Sequence, residues 1–535
     1  MNLKSDKVKL LLLAIILLFL VTRFYKISEI PPSLYWDEAS IGYNAYAISQ
    51  TGKDEWGKFL PVHFRAFGEF KLPVYIYATS VSVKLFGLNE FAVRLPAVLF
   101  SLGVVILTFL LTWKLAASKS AGLWSSFFIT ISPWFFIFSR TGYEATAGMM
   151  FFLLGVYFFL MLEKKNFFLV LATLSFIISM YSYNSFRIIS PLVLIILLAL
   201  QLKKRITKKI LIMIICSLII FVISLVPIIR LSLFDAGFAR TQGFRLFPAI
   251  QQVYDLSGKP HLQIVYDRSG NVSWGDNMIS VAKNYLVHFS PNFLLVNGDS
   301  NPRSQQPRFG EIFFLDILLV IVGLIFIKSS RKNWIFLPAI ILFLAPLPAA
   351  LFKESPHALR SLLAAPFIAV IAGLGANYLF ANKSRFSLIF IVVYLFLFAN
   401  YFREFIFNYS AFSSADWQYG YKEIFLNYGQ KFNNFDHVVV SDYLAQPYIF
   451  SLYYLKISPE EFRRSVKYNS VDRWGFSTVS GFNNLGFAQV DTKKLPKGNL
   501  LVFASPKEKL EIKEKGVIKN LDGSMAFFVY EYENE

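Results

Sequence analysis

"LLLAIILLFLVTRFYK", residues 11–26, is an aliphatic run that ends on Thr22, Arg23 and Lys26 with no small-residue cleavage site. A secretory signal has an apolar core followed by such a site, so this run reads as an anchor that stays in the chain. The reading sets the sign of all that follows, because Lys4, Lys7 and Lys9 ahead of it mark the cytoplasmic side of a first membrane span.

The rest of the chain has the same character. Of 535 residues, 55% are hydrophobic, 18% aromatic and only 16% charged, and the mean hydropathy is positive, outside the range of soluble globular proteins. About eleven stretches approach the roughly 17–25 apolar residues that cross a bilayer core: 8–22, 91–113, 121–138, 145–162, 166–182, 186–202, 210–229, 312–327, 334–352, 362–380 and 386–402. A net charge of +19 is no nucleic-acid signal here, because the lysines and arginines flank these stretches. The single cysteine, Cys216, excludes an intrachain disulfide and a thiolate metal cluster.

Alternating the connections separates two sets of loops. The N-terminus, Lys114 with Lys119, "EKKN", "QLKKRITKK", "KSSRKN" and "NKSR" are short and basic, hence cytoplasmic. The loops 25–90 and 231–311, "SRTGYEA", "YSYNSFR", "KESPHALR" and everything after about Arg403 are mixed in charge and face outward, with all five histidines. The chain reads as a polytopic α-helical protein of the plasma membrane, N-terminus cytoplasmic. Residues 1–407 form the membrane domain and 408–535 an extracytoplasmic α/β domain.

In that last part, "HVVVSD", "NLLVFAS" and "MAFFVYEYE" predict strands, and "AQPYIFSLYYL" and "SPKEKLEIKEK" predict helices. No Gly-rich phosphate loop follows the strands, so a nucleotide site has no support. The loop 231–311 carries the turn signals "LSGKP", "DRSGN" and "NGDSNPR".

The first outer loop holds "PSLYWDEASIGYNAYA", residues 32–47, with Asp37 and Glu38 side by side among aromatics. The plain reading is a helix start, Ser33 capping and Glu38 in the first turn. It leaves the loop's remaining content unexplained. "FGEFKLPVYIYATSVSVKLFGLNEFAVRLP", residues 67–96, is aromatic and amphipathic, suited to helices lying along the membrane interface and to a lipid-linked substrate. On the same outer side stand Arg140, Tyr143 and Glu144, then Tyr181, Tyr183 and Arg187, then Arg303, His357 and Arg360. Singly, each arginine reads as an interfacial anchor. Together they converge with carboxylates on one face of the membrane.

"YWDEASIGYNAYAI", "GEFKLPVYIY", "GLNEFAVRLPAVLFS" and "SRTGYEATAG", in this order, resemble the lipid-phosphosugar-dependent glycosyltransferases of the GT-C superfamily, in the branch of the protein O-mannosyltransferases and aminoarabinose transferases. The resemblance covers roughly the first 200 residues, with "NGDSNPR" and "SPHALR" beyond them. It implies an inverting transfer of a sugar from a polyprenyl-phosphate donor to an extracytoplasmic acceptor. Asp37 matches the catalytic aspartate of the first outer loop and Glu38 takes a supporting role. Lys71 matches a lysine beside the donor phosphate, with Arg187 and Arg360 as partners. Tyr35, Trp36, Arg140, Tyr143, Glu144, Tyr183, Arg303 and His357 would line the donor or acceptor pocket. Glu69 matches an acidic residue near a divalent metal in some relatives. The mannosyltransferases' "HPP" is replaced here by "KLP", which favours the bacterial branch and leaves the acceptor open among protein, lipid and cell-wall glycan.

The chemistry suits a carboxylate and cations. A phosphate leaves without a proton, so the enzyme needs a base for the acceptor and positive charge for the leaving group, whereas a glycosidase needs a second carboxyl as acid. A transporter or flippase of lipid-linked sugars would place ionisable groups at mid-membrane, yet these stretches are almost free of charge, Arg94 and Asp316 near the ends of theirs excepted. A glycan polymerase or oligosaccharyl transferase is the third reading. "DWQYGYKE", residues 416–423, is loosely similar to an aromatic-acidic motif of the latter and reads more simply as a juxtamembrane aromatic belt.

Overall fold

The computed structural model describes all residues except 1–4, 68–69, 203–206, 235–248, 255–259, 266–273, 353, 382–383, 471–476 and 535. A backbone out of reach of water must satisfy its own N–H and C=O groups, which leaves an apolar run little choice but a helix. Each of the eleven apolar stretches is helical.

The chain opens with α1 (Ser5–Phe24). The first loop builds α2 (Trp36–Thr51), a ladder of β1 (Phe64–Arg65) and β2 (Phe70–Lys71), and α3 (Pro73–Phe86). Then come α4 (Glu90–Ala116), α5 (Lys119–Ile131), α6 (Pro133–Phe138), α7 (Ala145–Leu160), α8 (Phe168–Met180), α9 (Phe186–Leu202) and α10 (Lys208–Phe234). The loop that follows carries the paired strands β3 (Ala249–Tyr254) and β4 (Pro260–Val265), then α11 (Trp274–Val287). The remaining apolar helices are α12 (Phe314–Ser329), α13 (Leu337–Leu344), α14 (Leu347–Ala350), α15 (Ala364–Phe380) and α16 (Ser384–Phe407). Among the described residues, three helices are long and apolar enough to cross a membrane unaided: Glu90–Ala116, Lys208–Arg230 and Arg385–Phe407. Two stretches are broken where proline removes a donor. The run 121–138 divides at Pro133, where Ser132 accepts from Phe135 N, and 334–352 divides near Pro346 and Pro348.

Two compact units divide the chain. One comprises Met1–Tyr25, Ala97–Ile250 and Ile264–Glu404; the other comprises Lys26–Pro96, Gln251–Gln263 and Phe405–Glu535. In the first, α15 packs against both α5 and α12. The approach is backbone to backbone: a Cβ on Gly323 would strike the Ile371 carbonyl, and one on Gly375 the Leu319 carbonyl. Small residues at such a crossing exchange side-chain volume for close van der Waals contact, the usual basis of helix association where lipid offers no hydrophobic drive.

In the second unit, α17 (Tyr409–Ser413), α18 (Tyr419–Asn427), α19 (Pro447–Tyr454) and α20 (Pro459–Ser465) accompany a seven-stranded mixed sheet. Its strands are β5 (His437–Val440), β6 (Lys467–Tyr468), β7 (Val479–Phe482), β8 (Leu485–Phe487), β9 (Gly498–Ala504), β10 (Gly516–Lys519) and β11 (Met525–Asn534), in the order β10-β11-β9-β5-β8-β7-β6. The central β5 runs parallel to both neighbours, β8 and β9, as its near-continuous apolar run "HVVV" suits. Leu500, Val502, Phe528 and Tyr530 form a core on one face of the sheet with Val439 and Leu510.

The strands expected at 437–442, 499–505 and 525–533 are β5, β9 and β11, and the helix expected at 445–455 is α19. The helix expected at 505–515 does not form: only Pro506–Glu508 makes a 3₁₀ turn. Glu508 is drawn inward instead, its carboxylate accepting from Ser441 Oγ, Ser505 Oγ and Val490 N. Leu510 alone of the segment's apolar residues is buried, too little to support an amphipathic helix. Trp417 also departs from the aromatic-belt reading, since it is fully buried, its indole N–H donating to Tyr409 Oη at 3.0 Å.

Gly375→Ala should cost on the order of 1–3 kcal/mol by overpacking. Thermal unfolding of the detergent-solubilised protein checks this, and an unchanged midpoint would mean the helices can part at no cost.

Candidate active site

Asp37 and Glu38 occupy the first turn of α2, side by side in sequence and with different fates. Tyr35, extended at φ −82° and ψ 159°, precedes the helix without a side-chain cap, and Gly52 at φ +68° ends it, donating to Ile48 O. Ser33, the cap expected from sequence, instead donates its hydroxyl to the Trp417 carbonyl. Successive first-turn positions lie about 100° apart around the axis, so adjacent carboxylates point in different directions.

Glu38 turns inward. Its two oxygens meet Arg94 Nε and Nη2 at 3.2 Å each, and both side chains are wholly excluded from solvent. The remaining guanidinium protons go to Ile27 O at 2.8 Å, Pro31 O at 3.0 Å and Ser33 O at 2.7 Å. One cation in α4 thereby fixes both the first turn of α2 and the chain leading into it, the bidentate geometry that guanidinium provides and ammonium does not.

Asp37 turns outward and keeps 29% of its side chain accessible, while Oδ1 receives Lys71 Nζ at 2.5 Å. The lysine is nearly sealed, with 3% exposure. Its backbone is pinned by the β1–β2 ladder, Phe64 opposite Lys71, and by Pro73 opening α3 two residues later. A carboxylate and an ammonium thus touch at the amide end of a helix, where the macrodipole favours negative charge. Trp36 lies beside them, tilted on Tyr35 at 4.8 Å and on Phe67 at 6.1 Å between ring centroids. Glu69 lies outside the described residues. Among those described, no group of three or more His, Cys, Asp or Glu side chains gathers as a metal site.

A carboxyl that sequence reasoning missed sits further along the same loop. Glu55 is buried, accepting from Tyr448 Oη at 3.2 Å and Asn44 Nδ2 at 3.3 Å. Burial, and secondarily the neighbouring Asp54, pushes it up to about 8. The signal was faint, because "KDEW" reads as a solvated turn. Asn44 returns the contact by accepting from Glu55 N at 3.1 Å.

In the other unit, Arg303, His357 and Arg360 come together. His357 is held well down, to about 3, by burial and by the charge of Arg360, with smaller effects of His288 and Arg303. It is a neutral imidazole whose backbone N–H donates to His288 Nε2 at 3.1 Å, so His288 carries its proton on Nδ1 and donates to Asn284 O at 2.8 Å. Asp299 accepts from Ala358 N at 2.7 Å and Asn301 N at 2.9 Å, and its own N–H donates to Glu311 Oε1 at 3.0 Å. Burial first raises both of these carboxyls, Glu311 the more. Arg360 donates to Glu354 at 3.3 Å, lies over the Phe352 ring at 4.6 Å, and leaves Nη1 without a hydrogen-bond partner among the described residues. A shallow dimple of about 10 Å³ brings Arg360 together with Tyr183 and the apolar Phe186, Ile189, Leu359 and Leu363.

The remaining expected site residues fall elsewhere. Arg140 is fully buried and donates to Thr22 O at 3.1 Å, in the last turn of α1, and to Tyr25 O at 2.8 Å, just beyond it. Tyr143 packs edge-on against Phe138. Glu144 precedes α7, and Arg187 is half-buried in the first turn of α9.

Residues 67–277 match the sequence model of the oligosaccharyl transferase STT3 N-terminal family. The crystal structure of ArnT from Cupriavidus metallidurans bound to undecaprenyl phosphate aligns with a TM-score of 0.56 at 11% identity, covering 98% of this chain and 98% of that one. The same protein in the apo state aligns at 0.55, again with 11% identity and 98% of each chain. No curated protein matches by sequence. The chain therefore has the fold of ArnT, a member of the class that its first-loop motifs resemble. Within that class it is similar to ArnT along nearly its whole length.

The buried Glu55 has a pH signature. A carboxyl raised from 4.5 to about 8 holds its proton in the folded state only, so its stabilising contribution is complete below pH 4.5 and is lost as pH rises toward 8, by at most about 1.4 kcal/mol per pH unit. Glu55→Gln should remove that part of the slope. Parallel pH–stability curves for the two proteins over this window would contradict it.

Proposed function

We propose that the protein is an inverting membrane glycosyltransferase that moves a sugar from a polyprenyl-phosphate carrier to an extracytoplasmic acceptor, with Asp37 as general base. The observation that carries this reading is the contact between an accessible carboxylate and a sealed ammonium, Asp37 and Lys71 at 2.5 Å. The acceptor's O–H or N–H gives its proton to Asp37, the acceptor atom bonds to the anomeric carbon, and the bond from that carbon to the phosphate oxygen breaks. The electron pair leaves on the phosphate, and Lys71 supplies the compensating charge. When donor phosphate takes the ammonium, Oδ1 of Asp37 loses its partner and is left as the stronger base. Glu38 is a positioning residue, since Arg94 takes both of its oxygens.

Arg360, whose Nη1 has no hydrogen-bond partner among the described residues and which lies beside the apolar Phe186, Ile189 and Leu363, suits the phosphate of the carrier. No step is assigned to a metal. About eleven crossings, with the N-terminus cytoplasmic and residues 408–535 outside, fit the basic loops; α2 and α3 then belong to the interfacial loop of the outer face. The match to the STT3 model favours a second reading in which the donor carries an oligosaccharide. Turnover of a lipid-linked monosaccharide set against a lipid-linked oligosaccharide decides between them.

Asp37→Asn should lower turnover by roughly 10²–10⁴ with binding of undecaprenyl phosphate nearly intact. Lys71→Ala and Arg360→Ala should weaken that binding, each removing a charge-assisted contact worth about 1.5–3 kcal/mol. An Asp37→Asn enzyme with wild-type turnover would overturn the assignment. Glu38→Gln should instead lose folded protein, because it leaves Arg94 buried against an uncharged partner, at a cost of about 3–5 kcal/mol.

Fusions at Glu535 test the orientation. A periplasmic phosphatase reporter there should be active, and activity of a cytoplasmic reporter in its place would reverse the topology.

A further inference from the structure

We propose that Gln418, in the segment "DWQYG" at residues 416–420, is a positioning residue for Asp37, capping α2 from a part of the chain more than 380 residues away. The inference rests on the reading of Asp37 as base. The first amides of a helix have no intrahelical partner, and a side chain just ahead of the helix normally accepts from them. α2 lacks that device, since Tyr35 provides no side-chain cap. The Trp36 N–H instead donates to Gln418 Oε1 at 3.2 Å. The same amide group is fixed from its other end, Nε2 donating to Leu444 O at 2.8 Å and Ala445 O at 3.4 Å. These contacts determine which end of the amide is oxygen, so the acceptor faces α2.

The backbone supports the assignment. Gln418 is held at φ +54° and ψ 39°, directly ahead of α18, a left-handed conformation that an L-residue adopts only where its surroundings impose it. The neighbouring contacts converge on the same short strip. Lys422 Nζ donates to Pro32 O at 3.1 Å, Ser33 Oγ donates to Trp417 O, and Leu34 N donates to Tyr454 Oη at 3.5 Å. Residues 32, 33, 34 and 36 are therefore each tied to the segment 417–454, and Arg94 holds residues 27, 31 and 33. Asp37 is the next residue. A carboxylate that must meet an acceptor within a few tenths of an ångström gains from a backbone fixed in this way. The C-terminal part is by this account a frame for the catalytic carboxylate, and "DWQYG" its point of contact.

The test uses full-length protein in detergent or nanodiscs. Gln418→Gly deletes the cap and at the same time relieves the left-handed backbone, so the fold should persist. Asn483→Gly, at an exposed turn with φ +50°, controls for the same backbone change away from α2. Turnover is scored on whichever undecaprenyl-phosphate-linked hexose or pentose the wild type consumes, and binding with undecaprenyl phosphate as probe. Gln418→Gly should reduce kcat about tenfold to a hundredfold, with donor KM, probe binding and melting temperature near wild type. Asn483→Gly should behave as wild type. If the glycine variant does not fold, Gln418→Met, of similar shape and with no acceptor, takes its place with the same expectation. Wild-type kcat in the glycine or methionine variant, or a loss that appears in donor KM or melting temperature and not in kcat, would overturn the proposal. Asp37→Asn measured in parallel separates the two ideas. Full activity there sinks the base itself, whereas an inactive Asp37→Asn beside a fully active Gln418→Gly sinks the capping role alone.

Discussion

The buried ion pair between Glu38 and Arg94 is the constraint on which the first loop depends. A carboxylate and a guanidinium removed from water are tolerable only when every remaining proton and lone pair is used, and Arg94 spends its other three donors on the carbonyls of Ile27, Pro31 and Ser33. The loop cannot rearrange without exposing a charge to an apolar interior. Its rigidity lets the next residue back, Asp37, be both accessible and fixed. Two adjacent acids that look equivalent in sequence thus differ in fate, one sealed in an ion pair and one left partly accessible.

Much of this was legible and some of it was not, for reasons that differ from place to place. The apolar stretches were readable because composition over about 20 residues overwhelms local detail. β5, β9 and β11 were readable because period and β-branching agreed. The segment 505–515 misled because charge at helical spacing resembles a solvated face, and nothing local showed that Glu508 would be drawn in by Ser441, 67 residues away. Trp417 misled in the same way. An aromatic close to an apolar run suggests a belt, and its burial depends on partners that sequence order does not reveal. Asp37 and Lys71 could be nominated separately by resemblance, but their contact and the withdrawal of Glu38 to Arg94 are facts of three dimensions.

The two clusters described also differ in kind. Around Asp37 the charges are paired, opposite and partly wet. Around His357 the groups are buried and near neutral in effect, with the imidazole uncharged and Asp299 and Glu311 pushed toward protonation. The second arrangement resists any change of charge and suits a scaffold that presents Arg360.

The enclosure of Lys71 has a consequence beyond geometry. With 3% of its side chain accessible, the ammonium is out of reach of dissolved counter-ions, which weaken the field of a surface charge within about a Debye length of roughly 8 Å at physiological ionic strength. Its field is therefore set by the protein and changes little with the medium. A charge enclosed in this way would act alike in dilute and in saline surroundings.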